Sequence, residues 1–255
     1  MTNINSRDLK KLSLEGKTAI VTGGAKGIGR AIVFDLAKAG AKIFLTYRGS
    51  SDLAIELQNK LVELKSECQI LKVDVLNTTD IEKMIKTCQE TLGGIDILVN
   101  NAGAAWGAPL DEYPENGWDK VMDTNVKGVF FLTQKLLPLL KASGNAEDPA
   151  RVINIGSIDG IKTGLFDAFS YGPSKAALHH LTRVLAASLV RDHIIVNAIA
   201  PGPFPTWMLS TGVGSGGDID IDWSVVGDTN PRGRVGTLED ISGLAIFLSS
   251  RAGAY

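Results

Sequence analysis

Cysteine is nearly missing from this chain. Cys68 and Cys88 are the only two in 255 residues, too few for a disulfide framework, and neither stands at metal-ligand spacing. Both read as unpaired thiols of a reducing compartment. Histidine is almost as scarce, and His179, His180 and His193 form no cluster, so neither a metal site nor a catalytic histidine is expected. An excess of charge is absent too. Twenty-six basic against 28 acidic residues leave a net charge of −2 and no basic field to hold nucleic acid or an anionic membrane. Long apolar runs are missing: the longest candidate, Val129 to Leu140, is broken by Gln134, Lys135 and Pro138, so no membrane span is expected. The polar start, Met1 to Lys11, has no apolar signal region. No internal repeat or low-complexity linker stands out. These absences leave a cytoplasmic protein whose partner is a small molecule.

What is present is ordinary globular composition, 44% hydrophobic and 21% charged, at a length that one large α/β domain accounts for. Residues 1–13 read as a polar N-terminal extension. Short apolar runs then alternate with longer amphipathic stretches. Strands are expected at Lys17–Val21, Lys42–Thr46, Gln69–Val73, Ile95–Asn100, Arg151–Gly156 and Ile194–Ile199. Helices are expected at Gly27–Ala39, Ser51–Ser66, Thr79–Leu92 and Gly117–Ala142, with a last one from Tyr171 to about Arg191. This alternation predicts a three-layer, doubly wound parallel sheet of the Rossmann type, which binds ligands beyond the carboxyl ends of its strands. The glycine- and aspartate-rich stretch over residues 206–230 breaks the pattern and reads as a substrate flap.

Two local patterns carry chemistry. Thr22-Gly23-Gly24-Ala25-Lys26-Gly27-Ile28-Gly29 follows the first strand and opens the first helix. Gly23, Gly27 and Gly29 permit a tight turn and let a pyrophosphate approach the helix N-terminus, so a dinucleotide site is expected. An NAD site places a carboxylate roughly 20 residues past such a loop. Here Tyr47 and Arg48 stand there, with Lys26 in the loop, and two cations suit the 2′-phosphate of NADP(H). In Ser170-Tyr171-Gly172-Pro173-Ser174-Lys175, a phenol and an ammonium lie four residues apart. On a helix they share a face, and the cation is expected to lower the phenol's pKa, giving an acid–base pair.

Thr22-Gly23-x-x-x-Gly27-x-Gly29, Asn100-Asn101-Ala102-Gly103, Ser157, Tyr171-x-x-x-Lys175 and Pro201-Gly202 stand in the order of the short-chain dehydrogenase/reductase family, which the chain resembles from about Leu14 to Tyr255. Tyr171 to His180 and Pro231-Arg-Gly-Arg-Val-Gly are most similar to NADPH-dependent β-ketoacyl carrier-protein reductases. The resemblance implies hydride transfer between NADP(H) and a carbonyl or secondary alcohol. It implies a catalytic tetrad: Tyr171 as acid, Ser157 binding the substrate oxygen, Lys175 lowering the Tyr171 pKa and holding the nicotinamide ribose, and Asn125 interrupting a helix to hold a water. It further places Asp74 and Val75 at adenine, Asn101 beside the adenine ribose, the Ile28 N–H on the pyrophosphate, the Phe204 backbone at the nicotinamide carboxamide, and the Thr206 hydroxyl at the carboxamide or the pyrophosphate. Trp106, Phe166, Phe169, Phe204, Trp207 and Met208 fall near the expected pocket walls and suggest a partly apolar substrate. Relatives continue past Tyr255 into a seventh strand, so a shortened, less stable chain is expected here, with the homo-oligomer belonging to the full-length form. A nucleotide-sensing or interaction protein without turnover stays open as the alternative, although such proteins usually lose a tetrad member.

Overall fold

The computed structural model describes residues 10–164, 167–206, 208 and 221–255. Its centre is a six-stranded, all-parallel sheet in the order β3-β2-β1-β4-β5-β6. The strands are β1 (Thr18–Val21), β2 (Lys42–Tyr47), β3 (Cys68–Lys72), β4 (Ile97–Asn100), β5 (Ala150–Ile155) and β6 (Ile194–Ile199). Every residue of β1, β4 and β5 is buried, including Arg151, Asn100 and Asn154, as central strands covered on both faces require.

Helices cover the two faces. Helix α1 (Gly27–Lys38), α2 (Ser51–Glu63) and α8 (Leu238–Ser249) lie on one side, where Ile32, Leu36, Leu57, Leu61, Ile241 and Ala245 pack on the sheet. Helix α3 (Thr78–Leu92), α5 (Gly128–Ser143) and α6 (Tyr171–Leu189) lie on the other, contributing Ile81, Met84, Leu132, Leu136, Leu140 and Leu189. Local chemistry sets the helix ends. Asn77 caps α3 by accepting the Asp80 N–H at 3.1 Å, and Gly93 closes it in the left-handed region at φ 85°. At α8 the Asp240 carboxylate accepts the Thr237 N–H at 2.7 Å.

Three elements differ from expectation. The helix read over residues 117–142 is two: α4 (Glu115–Met122) and α5, joined by a wide turn over Asp123–Lys127. Helix α8 went unread. The described part of the stretch read as a flap contains helix α7 (Trp223–Asp228), with Asp222 accepting the Ser224 N–H at 2.9 Å; residues 209–220 and Trp207 lie outside the described residues. Among the described residues the sheet has no seventh strand. The sheet order reverses between β1 and β4, so a crevice opens there beyond the strand ends.

Candidate active site

A cleft of about 2240 Å³ runs along the carboxyl ends of the strands. Its floor at one end is the glycine loop. Gly23 and Gly27 sit at φ +63° and +55°, where a side chain would strain the backbone. A Cβ on Gly29 would overlap the Asn101 amide and lie 2.5 Å from the Gly23 carbonyl. Helix α1 has no side-chain cap, and its first turn closes with the Arg30 N–H on the Lys26 carbonyl, so the N–H groups of Gly27, Ile28 and Gly29 enter no helical bond and line the cleft. Donors at a helix N-terminus form a cradle for phosphate. Lys26 and Arg48 flank this loop. Burial lowers the Lys26 pKa, and the neighbouring Arg48 charge lowers it further, as two cations brought together must. These residues fit a pyrophosphate with an additional phosphate beyond it. Asp74 and Val75, past β3, line the same end; the Asp74 carboxylate accepts the Leu76 N–H at 3.0 Å.

Asn101 lines the cleft, and its side chain turns inward. Its Nδ2 donates to the Thr22 and Gly23 carbonyls at 2.8 and 3.0 Å, bracing the glycine loop against β4. The Phe204 ring packs where a Cβ on Gly236 would sit, Phe204 also lines the cleft, and Thr206 Cγ2 lies 3.5 Å from the Cβ position of Gly27.

At the far end stand the tetrad residues. Ser157 follows β5 in extended backbone at φ −164°, and its Oγ accepts the Asp159 N–H at 3.1 Å and pairs with the Tyr171 hydroxyl. Tyr171 opens α6. Lys175, one turn later and 5% exposed, donates to the Ile155 carbonyl at 2.7 Å and places its Nζ 5.6 Å from the Tyr171 ring centroid. This alters the expected electrostatics. Burial raises the Tyr171 pKa; the Ser157 hydrogen bond opposes this and the Asp159 charge reinforces it. Desolvation of the phenolate outweighs a lysine held over the ring face and anchored on a carbonyl, so the phenol keeps its proton. The lysine itself is pulled down to about 8 by burial.

Asn125 sits in the wide turn between α4 and α5, fully buried. Its Oδ1 accepts the Ala104 N–H at 2.8 Å, and its Nδ2 donates to the Ala104 carbonyl and Ser174 Oγ, both at 2.9 Å. The expected helix interruption is present. The side chain, however, clamps the loop after β4 to α6.

Trp106, Phe169, Phe204 and Met208 line the cleft. Phe166 and Trp207 lie outside the described residues. Trp106 covers Gly117, where a Cβ would stand 2.7 Å from its ring, and Lys120 Nζ lies 5.1 Å over its face. Tyr113 was missed by sequence reasoning. Its hydroxyl pairs with Ser170 Oγ at 2.6 Å and donates to the Trp106 carbonyl at 3.0 Å, tying this wall to the start of α6. No sequence signal marks a tyrosine in an irregular loop. Asp159 was missed as well, although its position was visible two residues past Ser157, and His179, for which no catalytic or metal role was expected, continues the Tyr171–Lys175 stripe by one more turn. Among the described residues no group of ligand side chains could hold a metal ion, and no helix is long and apolar enough to cross a membrane.

Known proteins share this arrangement. A sequence profile for short chain dehydrogenases matches residues 17–212. A rhamnolipids biosynthesis 3-oxoacyl-[acyl-carrier-protein] reductase of Pseudomonas aeruginosa is 44% identical over 246 residues, covering 95% of this chain and 93% of that protein. A tropinone reductase homologue of Arabidopsis thaliana is 38% identical, covering 96% and 90%. Among solved structures, the RhlG/NADP active-site complex from Pseudomonas aeruginosa superposes with a TM-score of 0.87 at 43% identity, over 96% of this chain and 94% of that one. A gluconate 5-dehydrogenase from Burkholderia cenocepacia in complex with NADP and tartrate gives 0.84 at 30% identity, over 97% and 93%. With the glycine loop, the Ser157–Tyr171–Lys175 constellation and this full-length likeness in hand, the chain belongs to the short-chain dehydrogenase family and is an oxidoreductase.

Proposed function

We propose that this protein is an NADP(H)-dependent ketoreductase that reduces the carbonyl of a partly apolar substrate of the 3-oxoacyl thioester type, with Asn125, Ser157, Tyr171 and Lys175 as its site residues. The observation that carries this is the Tyr171 hydroxyl, paired with Ser157 and one helical turn from buried Lys175, in the same cleft as the glycine loop and the Lys26–Arg48 pair. NADP complexes of two related proteins support the cofactor, and the name of the Pseudomonas relative supports the substrate class.

The residues divide the work. The N–H groups of Gly27, Ile28 and Gly29 bind the pyrophosphate, and Lys26 and Arg48 bind the 2′-phosphate. Bound NADPH supplies the hydride. Ser157 Oγ and the Tyr171 hydroxyl donate to the substrate carbonyl oxygen, orient it, and stabilise the negative charge that develops on it. Tyr171 then gives its proton to that oxygen. The Lys175 charge, 5.6 Å from the ring centroid, favours the resulting phenolate until a proton returns. Trp106, Phe169 and Met208 exclude water from an acyl chain. Asn125 fixes the loop under the substrate. The near-neutral net charge supports a small-molecule partner, and a single domain acting in the cytoplasm as a homo-oligomer completes the reading.

NADPH oxidation with acetoacetyl thioesters, cyclic ketones and aliphatic ketones tests this. Turnover is expected with at least the thioesters. Tyr171→Phe is expected to lower kcat about 10²- to 10⁴-fold while the NADPH Kd stays within about twofold. NADPH binding with no carbonyl consumed would instead make the protein a nucleotide sensor.

A further inference from the structure

The stripe that begins with Tyr171 and Lys175 does not end at the lysine. His179 lies one more helical turn along the same face of α6, since residues four apart stack on a helix. Its ring is wedged against the end of β5. A Cβ on Gly156 would collide with His179 Nε2, and a Cβ on Gly160 would stand 3.0 Å from Cε1. The slot between these two glycines is shaped to the imidazole. Within it, the Ser157 backbone N–H donates to His179 Nε2 at 3.4 Å. The flanking N–H groups of Gly156 and Ile158 are held by β6 and its extension, at the Ile199 and Pro201 carbonyls. The Ser157 N–H faces the other way, and the histidine meets it.

We propose that His179 is a positioning residue: its Nε2 lone pair holds the Ser157 backbone N–H and thereby fixes Ser157 Oγ against the Tyr171 hydroxyl, where the carbonyl oxygen is bound. This rests on the ketoreductase reading of Ser157 and Tyr171. The bond requires the neutral ring with its proton on Nδ1. Two charges act on this ring, Lys175 and Arg183, both on its own helix. From β6 the groove beside it receives Val196, Asn197 and Ala198, none of which titrates. Burial, then the charges of Lys175 and Arg183, hold the imidazole below its ordinary value, so the ring is neutral at physiological pH. As pH falls through that lowered value the ring gains a proton, both nitrogens become donors, and the Ser157 N–H loses its acceptor. Turnover should therefore fall on the acid side while NADPH affinity, set at the other end of the cleft, does not.

The experiment compares wild type, His179→Leu and His179→Gln with NADPH and acetoacetyl-coenzyme A across pH, with NADPH Kd read by fluorescence and folding by thermal melt. Loss of an acceptor that sets sub-ångström placement should lower kcat about tenfold in His179→Leu. The NADPH Kd should stay within about twofold. His179→Gln retains an acceptor oxygen that does not titrate, so it should recover most of kcat and lack the acid limb of the wild type. A His179→Leu enzyme with wild-type kcat overturns the proposal, as does equal loss in both variants. If the Leu variant does not fold, the Gln variant decides: an acid limb unchanged from wild type removes His179 from this role. Failure of the ketoreductase reading looks different, because the wild type itself would then consume no NADPH.

Discussion

Burial, then the neighbouring Arg48 charge, lowers the Lys26 pKa, so the two cations stand close enough to act on one anion. Spacing alone pointed to this pair, because the backbone of a strand–loop–helix unit fixes where the second strand ends relative to the glycine loop. Arg48 is exposed, so its contribution is screened by salt. A hydrogen bond to a charged group contributes about 1.5–3 kcal/mol, and the screened position argues for the lower end, near tenfold in affinity. Arg48→Glu is thus expected to raise the NADPH Kd about tenfold at low salt and leave the NADH Kd within about twofold. Equal weakening of both cofactors would show that the pair does not read the 2′-phosphate. Other residues were less legible for a physical reason. The Tyr171–Lys175 spacing showed a shared face but not how deeply the phenol would be buried, and that burial raises its pKa where a fall was expected. Helical periodicity places His179 on a stripe, and only the packing of α6 on β5 reveals what that stripe touches.

The elements bearing the site are joined through the core by a polar ladder. Asn100 on β4 and Asn154 on β5 are register partners, and Asn100 Nδ2 donates to Asn154 Oδ1 at 2.8 Å. Asn154 Nδ2 donates to Thr182 Oγ1 on α6 at 2.9 Å, and Asn100 Nδ2 also reaches Thr133 Oγ1 on α5 at 3.3 Å. All four side chains are buried. Asn100 Oδ1 is the one side-chain oxygen of the ladder left without a partner; the bonds that are made tie together the strand ends and helices that carry Asn101, Ser157, Tyr171 and Lys175. Asn154→Leu takes a partner from both Asn100 and Thr182, at about 1–3 kcal/mol for each group left unpaired. Urea unfolding is expected to show a stability lowered by roughly 3 kcal/mol. Asn100→Leu combined with Asn154→Leu should cost less than the two single changes summed, because the second change removes a donor already orphaned. Strict additivity would mean the ladder is not coupled. The strands themselves were legible as short apolar runs between helices, and β6 matched to the residue. Helix α8 was not, because Leu244 and Phe247 are exposed and apolar while Ile241 and Ala245 are buried and apolar, so no stripe stands out. The break at Asp123–Lys127 is not visible in the apolar pattern; only the family resemblance, through Asn125, placed an interruption there.

At the scale of the whole molecule, the sheet divides the interior into two apolar layers, and each holds one thiol. Cys68 belongs to the layer under α1, α2 and α8, and Cys88 to the layer under α3, α5 and α6. Burial pushes both thiols up to about 12. At pH 8 the reactive thiolate is then on the order of 10⁻⁴ of each, and the surrounding side chains block a reagent as well. Neither thiol should react with an aromatic disulfide at pH 8 in the native protein, and both should do so once it unfolds. Pulsed thiol labelling along a urea series, with the two peptides separated by mass spectrometry, therefore follows each layer independently. The strands are shared by both layers, since alternate residues of β1 point to opposite faces: Ala19 and Val21 to one, Ile20 to the other. One layer cannot lose its floor without the other losing its ceiling. The two cysteines should accordingly become reactive at the same urea midpoint, as one cooperative domain requires. If Cys68 is labelled at clearly lower urea than Cys88, the β3 edge with α2 opens by itself, and the domain is not a single cooperative unit.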